Sequence, residues 1–221
     1  MPEGTIVALG AAPEGPLLDY VLGLARGRRL VFVPTAGMEA PAHTLIWYER
    51  LRGRAEMTHL NFLPWPPAQL RETVLAQDIV LVPGGNTANM LAIWRIHGFD
   101  EVLREAWASG VVLAGWSAGA ICWFEAAVTD SFGAQLEGMR EGLGLLKGSA
   151  CPHYDSEERR RPRYGELVRD GFPPGIALDD GAAVRFDGTD LAEVVATQPD
   201  ARAYRVGPDA EQPIESRLLT G

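Results

Sequence analysis

The chain has 221 residues, 47% hydrophobic and 22% charged, enough length and apolar content for one buried α/β core. Its 29 acidic and 20 basic residues give a net charge of −9. That balance argues against a nucleic-acid or anionic-membrane partner, because phosphate binding needs a basic surface.

In chain order, TIVALG (5–10), RLVFVPTA (29–36), DIVLVPGG (78–85) and VVLAG (111–115) are apolar runs that end at Gly or Pro turn signals. AEMTHLNFL (55–63) is a weaker run of the same kind. Continuous apolar character predicts strands covered on both faces, as in a parallel sheet. Helical patterns fill the gaps at about 15–26, 39–52, 67–77, 87–97 and 100–109. In 87–97, Met90, Ile93, Trp94 and His97 share one helix face, and Asn86 precedes them as a good N-cap. This alternation predicts a doubly wound, mostly parallel sheet with helices on both faces. Beyond about residue 172, GIALDDGAAVRFDG, LAEVVATQ and ARAYRVGP read as a β-meander. No repeat or long linker interrupts residues 1–221, so a single domain is expected.

Cys122 and Cys151 form no C-x-x-C pair, which favours a reducing interior over a disulfide framework. MPEGTIVALG lacks a charged n-region with a long apolar run, and no segment reaches the roughly 18 apolar residues of a membrane span. The cytoplasm is the default expectation.

The chemistry concentrates at turns. Gly115-Trp116-Ser117-Ala118-Gly119 follows an apolar strand and opens a helical stretch. A sharp strand-to-helix turn crowds the serine's neighbours, so glycines flank it, and the hydroxyl projects outward as a nucleophile. The plain alternative is a helix N-cap serine with close-packing glycines. Val82-Pro83-Gly84-Gly85-Asn86-Thr87 makes a second strand-to-helix turn, whose N–H groups could form an oxyanion hole with that of Ala118. Among His43, His59, His97 and His153, the best base is His153, in the polar break SACPHYD (149–155). Cys151, His153 and Asp155 alternate and on a strand would share a face, a weak metal pattern; no metal or cofactor is expected.

VPGGNT (82–87), GWSAGA (115–120) and CPHY (151–154) together resemble the dipeptidase E (aspartyl dipeptidase) and cyanophycinase family of serine peptidases. The resemblance implies a class I glutamine amidotransferase-like α/β fold, with Ser117 as nucleophile, His153 as base, and Gly85 and Ala118 in the oxyanion hole. For the acid it offers Asp180 in LDDG first, Asp130 in VTDS second and Asp155 third. Asn86 and Arg160 become candidates for substrate binding. Arg160 lies in the cluster 159–163, which reads equally as a solvated face or as the contact of a homodimer. Ile121 stands where the family commonly has Asn. The expectation is therefore a serine peptidase for short peptides, with relaxed rather than strict Asp-X specificity. Two alternatives stay open: an esterase or amidase using the same serine, and a non-catalytic amidotransferase-like binding protein.

Overall fold

In the computed structural model, which describes residues 4–220, the apolar runs of the first half become strands of one sheet, and a second sheet forms from later segments. The first half alternates β1 (Thr5–Leu9), α1 (Gly15–Gly23), β2 (Arg29–Phe32), α2 (Pro41–Leu51), β3 (Glu56–His59), α3 (Leu70–Leu75), β4 (Ile79–Val82), α4 (Thr87–Ile96), α5 (Phe99–Ala108) and β5 (Val112–Trp116). A 3-10 turn over Pro34–Gly37 separates β2 from α2. After β5 come α6 (Ala118–Ile121), β6 (Phe124–Thr129), β7 (Glu137–Met139), β8 (Leu146–Cys151) and α7 (Arg160–Arg169). The chain ends in β9 (Gly175–Leu178), β10 (Ala182–Asp187), β11 (Asp190–Ala196), β12 (Ala203–Val206), β13 (Glu211–Ile214) and β14 (Arg217–Leu218).

The larger sheet runs β14-β11-β10-β1-β5-β4-β2-β3, and its strands β1, β5, β4, β2 and β3 are parallel. Both faces of its centre are covered, which is why these strands read as unbroken apolar runs. Ile6 and Ala8 join a core shared with Met90 and Trp94 of α4 and Leu103 of α5. Val7 and Leu9 face the opposite core, with Leu17 and Val21 of α1 and Trp47 of α2. The second sheet, β13-β12-β9-β8-β6-β7, covers the first of these cores with Phe124, Ala127 and Ala150. On its other face, Tyr164 and Val168 of α7 pack against Ala126, Cys151 and Ala177.

Two expectations change. The C-terminal strands do not form one meander: β10 and β11 join the first sheet, while β9, β12 and β13 belong to the second. The helical stretch after Ser117 lasts one turn, because Phe124 already starts β6, pairing in parallel with β8. Strands without β-branched residues, such as LKGSAC (146–151), carry too little pattern to announce themselves. Among the described residues, no helix is long and apolar enough to cross a membrane.

Candidate active site

Leu9 of β1 pairs with Trp116 on one side and with Ala183 on the other, setting β5 and β10 level across the sheet. Ser117 directly follows that Trp116, and Asp180 lies in the turn just before β10. Two strand spacings of roughly 4.8 Å separate β5 from β10. An imidazole with a hydrogen bond on each side spans such a gap.

Ser117 holds φ 54° and ψ −117°, a sparsely populated conformation outside helix and strand. Its neighbours explain the flanking glycines. A Cβ on Gly115 would lie 2.3 Å from the Gly119 carbonyl oxygen, and one on Gly119 would lie 2.1 Å from that of Val82. The Ser117 N–H donates to the Leu9 carbonyl at 3.2 Å. Its side chain makes no capping hydrogen bond, so the N-cap explanation of this serine has no bond to rest on.

The second turn abuts the first: a Cβ on Gly84 would lie 3.0 Å from Ser117 Cβ. Gly85, at φ 142°, has the Ala36 carbonyl oxygen where a Cβ would stand, at 2.0 Å. Neither the Gly85 nor the Ala118 N–H donates to a carbonyl among the described residues, whereas that of Asn86 is taken by Ala36 at 2.9 Å. Asn86 caps α4 as expected, its side-chain oxygen accepting the Asn89 N–H at 2.9 Å. Its amide also donates to the Ser131 carbonyl, and Ser131 Oγ accepts the N–H groups of Thr87 and Ala88. This second cap, brought from after β6, had no sequence signal.

His153 follows β8 at φ 53°, so the strand alternation is broken and Cys151, His153 and Asp155 do not line one strand face. Its Nδ1 lies 2.6 Å from Asp180 Oδ1, which leaves Nε2 as the other ring nitrogen. Asp155 bonds elsewhere: its Oδ1 accepts the backbone N–H of Asp180 at 2.9 Å. Asp130 is exposed, in the turn after β6. The next residue back from Asp180, Asp179, is 3% exposed. Its Oδ2 accepts the Arg202 N–H and the Tyr204 hydroxyl, and its Oδ1 has no partner. Burial pushes the Asp179 carboxyl above the usual range, the Arg202 N–H pulls it back, and the charge of Asp155 adds to the rise. Burial also pushes the Cys151 thiol up to about 12 and that of Cys122 well above its ordinary value, so neither is a ready thiolate.

Arg160 is 4% exposed and occupied, its Nε donating to Glu157 at 2.7 Å and its Nη1 to the Val128 carbonyl at 3.3 Å. Arg161 stacks between Tyr154 and Tyr204 and pairs with Glu211. Ile121 is buried in the main core. His43, for which the sequence offered no neighbouring chemistry, stands near the site: its Nδ1 lies 3.4 Å from where a Cβ on Gly37 would be. Among the described residues, no three His, Cys, Asp or Glu side chains are grouped to hold a metal.

The chain is 41% identical over 211 residues to the uncharacterized peptidase YgaJ of Bacillus subtilis, covering 91% of each. It is 29% identical over 182 residues to peptidase E of Haemophilus influenzae, covering 77% of this chain and 82% of that one. A peptidase from an acI-B1 Actinobacterium shares the fold with a TM-score of 0.74 at 21% identity, over 97% of this chain and 95% of the other. A candidate peptidase E from Listeria monocytogenes follows at 0.69 and 17% identity, over 89% of this chain and 100% of the other. The sequence profile of Peptidase family S51 matches residues 12–194, most of the length that builds both sheets. The chain is a peptidase and belongs to family S51.

Proposed function

We propose that this peptidase cleaves short peptides with a Ser117–His153–Asp180 triad through an acyl-enzyme. His153 Nε2 takes the hydroxyl proton as Ser117 Oγ attacks the scissile carbonyl carbon. The tetrahedral oxyanion is received by the N–H groups of Gly85 and Ala118. On collapse, the C–N bond breaks and the imidazolium returns the proton to the leaving amine. Water then repeats the sequence on the ester, releasing the acid and restoring the serine. Asp180 holds Nδ1–H, fixing the tautomer and stabilising the imidazolium.

The observation that carries this reading is the 2.6 Å His153–Asp180 pair, placed in the turn before β10 while Ser117 follows β5 on the other side of β1. Asp130 and Asp155 are the less favoured candidates for the third member, since one is exposed and the other bonds the Asp180 backbone. A relaxed preference at the first substrate residue fits an Arg160 guanidinium already engaged by Glu157 and Val128. Ser117→Ala is expected to leave a folded protein and to lower turnover by roughly 10⁴–10⁶-fold, the scale of losing a triad nucleophile. The checks are peptide hydrolysis, a melting curve and labelling by a fluorophosphonate. Wild-type protein that is folded yet neither labelled at Ser117 nor active would point instead to a binding protein.

A further inference from the structure

Beside the candidate oxyanion turn lies a groove of about 280 Å³, between the turn after β2, Leu63 and the outer side of α4. Its apolar walls are Met38, Leu63, Ala92 and Ile93, with Met38 83% and Leu63 56% exposed. It shares backbone with the turn: the Asn86 N–H is bonded to Ala36, and the Ala36 carbonyl fills the space beside Gly85. Apart from the exposed Asn89, its polar side chains are already engaged. Glu39 accepts the N–H groups of Phe62 at 2.6 Å and Leu63 at 2.9 Å. The Asn86 amide is used by Asn89 and Ser131, and Thr35 Oγ1 accepts the Trp94 indole N–H at 3.2 Å. An anionic side chain entering here would lose water and meet the Glu39 carboxylate without any cation among the lining residues, whereas an apolar one gains by burial.

We infer that this groove receives the apolar side chain of the substrate residue that supplies the scissile carbonyl, a residue of the Leu, Met or Phe class. The inference rests on the serine-peptidase reading. A carbonyl oxygen held at the Gly85 N–H is two bonds from the Cα of its own residue, and the groove begins at Asn86, the next residue along. Filling the groove is the test. Ala92 is exposed on α4, outside the proposed catalytic groups, and Ala92→Trp occupies the space. Met38 sits at φ 58°, which Asn tolerates, so Met38→Asn is a second variant that makes one wall polar without refolding the turn.

kcat/KM is measured for Leu-Ala, Ser-Ala and Asp-Ala, with fluorophosphonate labelling of Ser117 in parallel. Wild-type protein is expected to favour Leu-Ala at least tenfold over both others. Each variant should reduce that advantage to threefold or less, with Ser-Ala turnover and labelling within about threefold of wild type. Absence of the apolar preference, or its survival in either folded variant, overturns the subsite while labelling keeps the peptidase reading standing. No labelling and no hydrolysis by folded wild-type protein overturns both.

Discussion

Ser117 and His153 share an unusual backbone, at φ 54° and 53°, yet the chain brings them there by different means. Around Ser117 the means are local to one sheet. The Val82 carbonyl and the backbone of Gly119 press so closely that only hydrogen fits at Gly115 and Gly119, and Leu9 takes the serine N–H. Around His153 no glycine helps, since Pro152 precedes it and Tyr154 follows. Distant bonds hold it instead: Tyr154 N–H to Leu178, and the ring to Asp180, whose own N–H is fixed by Asp155. Each such backbone costs about 1–3 kcal/mol and persists only where its surroundings over-determine it. One member of the pair is built by crowding, the other by long-range hydrogen bonds.

The hydrogen-bonded side should break most visibly in rate. Under the proposed triad, Asp180→Asn is expected to lower kcat by about 10⁴-fold, because the amide NH2 can donate to Nδ1 and select the wrong imidazole tautomer, and the negative charge is gone. Asp130→Asn should stay within a few-fold of wild type. The proposed triad makes His153 and Asp180 one unit, so adding His153→Ala to Asp180→Asn should cost far less than the product of the two losses. A large loss at Asp130 with a small one at Asp180 would move the acid to the segment after β6.

The crowded side should break in stability. Gly119→Ala sets a methyl 2.1 Å from the Val82 carbonyl oxygen, and an overpacking cost of about 1–3 kcal/mol should lower the melting temperature by several degrees. Gly23→Ala, with open space at the end of α1, is the control and should change little. Equal melting temperatures would mean that the two backbones at Gly119 and Val82 are free to part.

The smallest effect sharpens the contrast on the hydrogen-bonded side. Asp179 is buried with its carboxyl raised above the ordinary value, so the folded state favours its protonated form. That contribution is full below the unfolded value of about 3.9 and is lost as pH rises through the higher folded value. Asp179→Asn stays neutral, and its Oδ1 can still accept the Arg202 N–H. The melting temperature of the variant minus that of wild type should therefore grow more positive from pH 4 to pH 8. A difference that stays flat or falls would show that the Asp179 charge is not penalised by burial.

The parallel half of the fold was legible because each central strand is covered on both faces and each turn carries its own Gly, Pro or Asn. The α4 cap at Asn86 and the buried pair Met90 and Trp94 followed from spacing alone. Residues 124–151 were not legible, because β6, β7 and β8 carry few β-branched residues and small ones such as Gly148, Ser149 and Ala150, and take their places from pairing in the sheet, β8 with β9 among them. The Ser131 cap and the approach of His43 to Gly37 likewise depend on which loops meet.

The sequence by itself marked the two glycine-lined turns, because Gly near Ser or Asn at the end of an apolar strand is a signal of residue type, although the Val82 and Ala36 carbonyls that crowd those glycines come from other segments. It also determined that a histidine and several aspartates would be available downstream. Which aspartate meets His153 was decided by the tertiary structure alone. The chain crosses from the second sheet to the first between β9 and β10, and that crossing sets Asp180 against the His153 ring, Asp155 behind it and Asp130 out in solvent. A carboxylate's reach is only a few ångströms, so its partner is chosen by where the backbones meet and not by residue type.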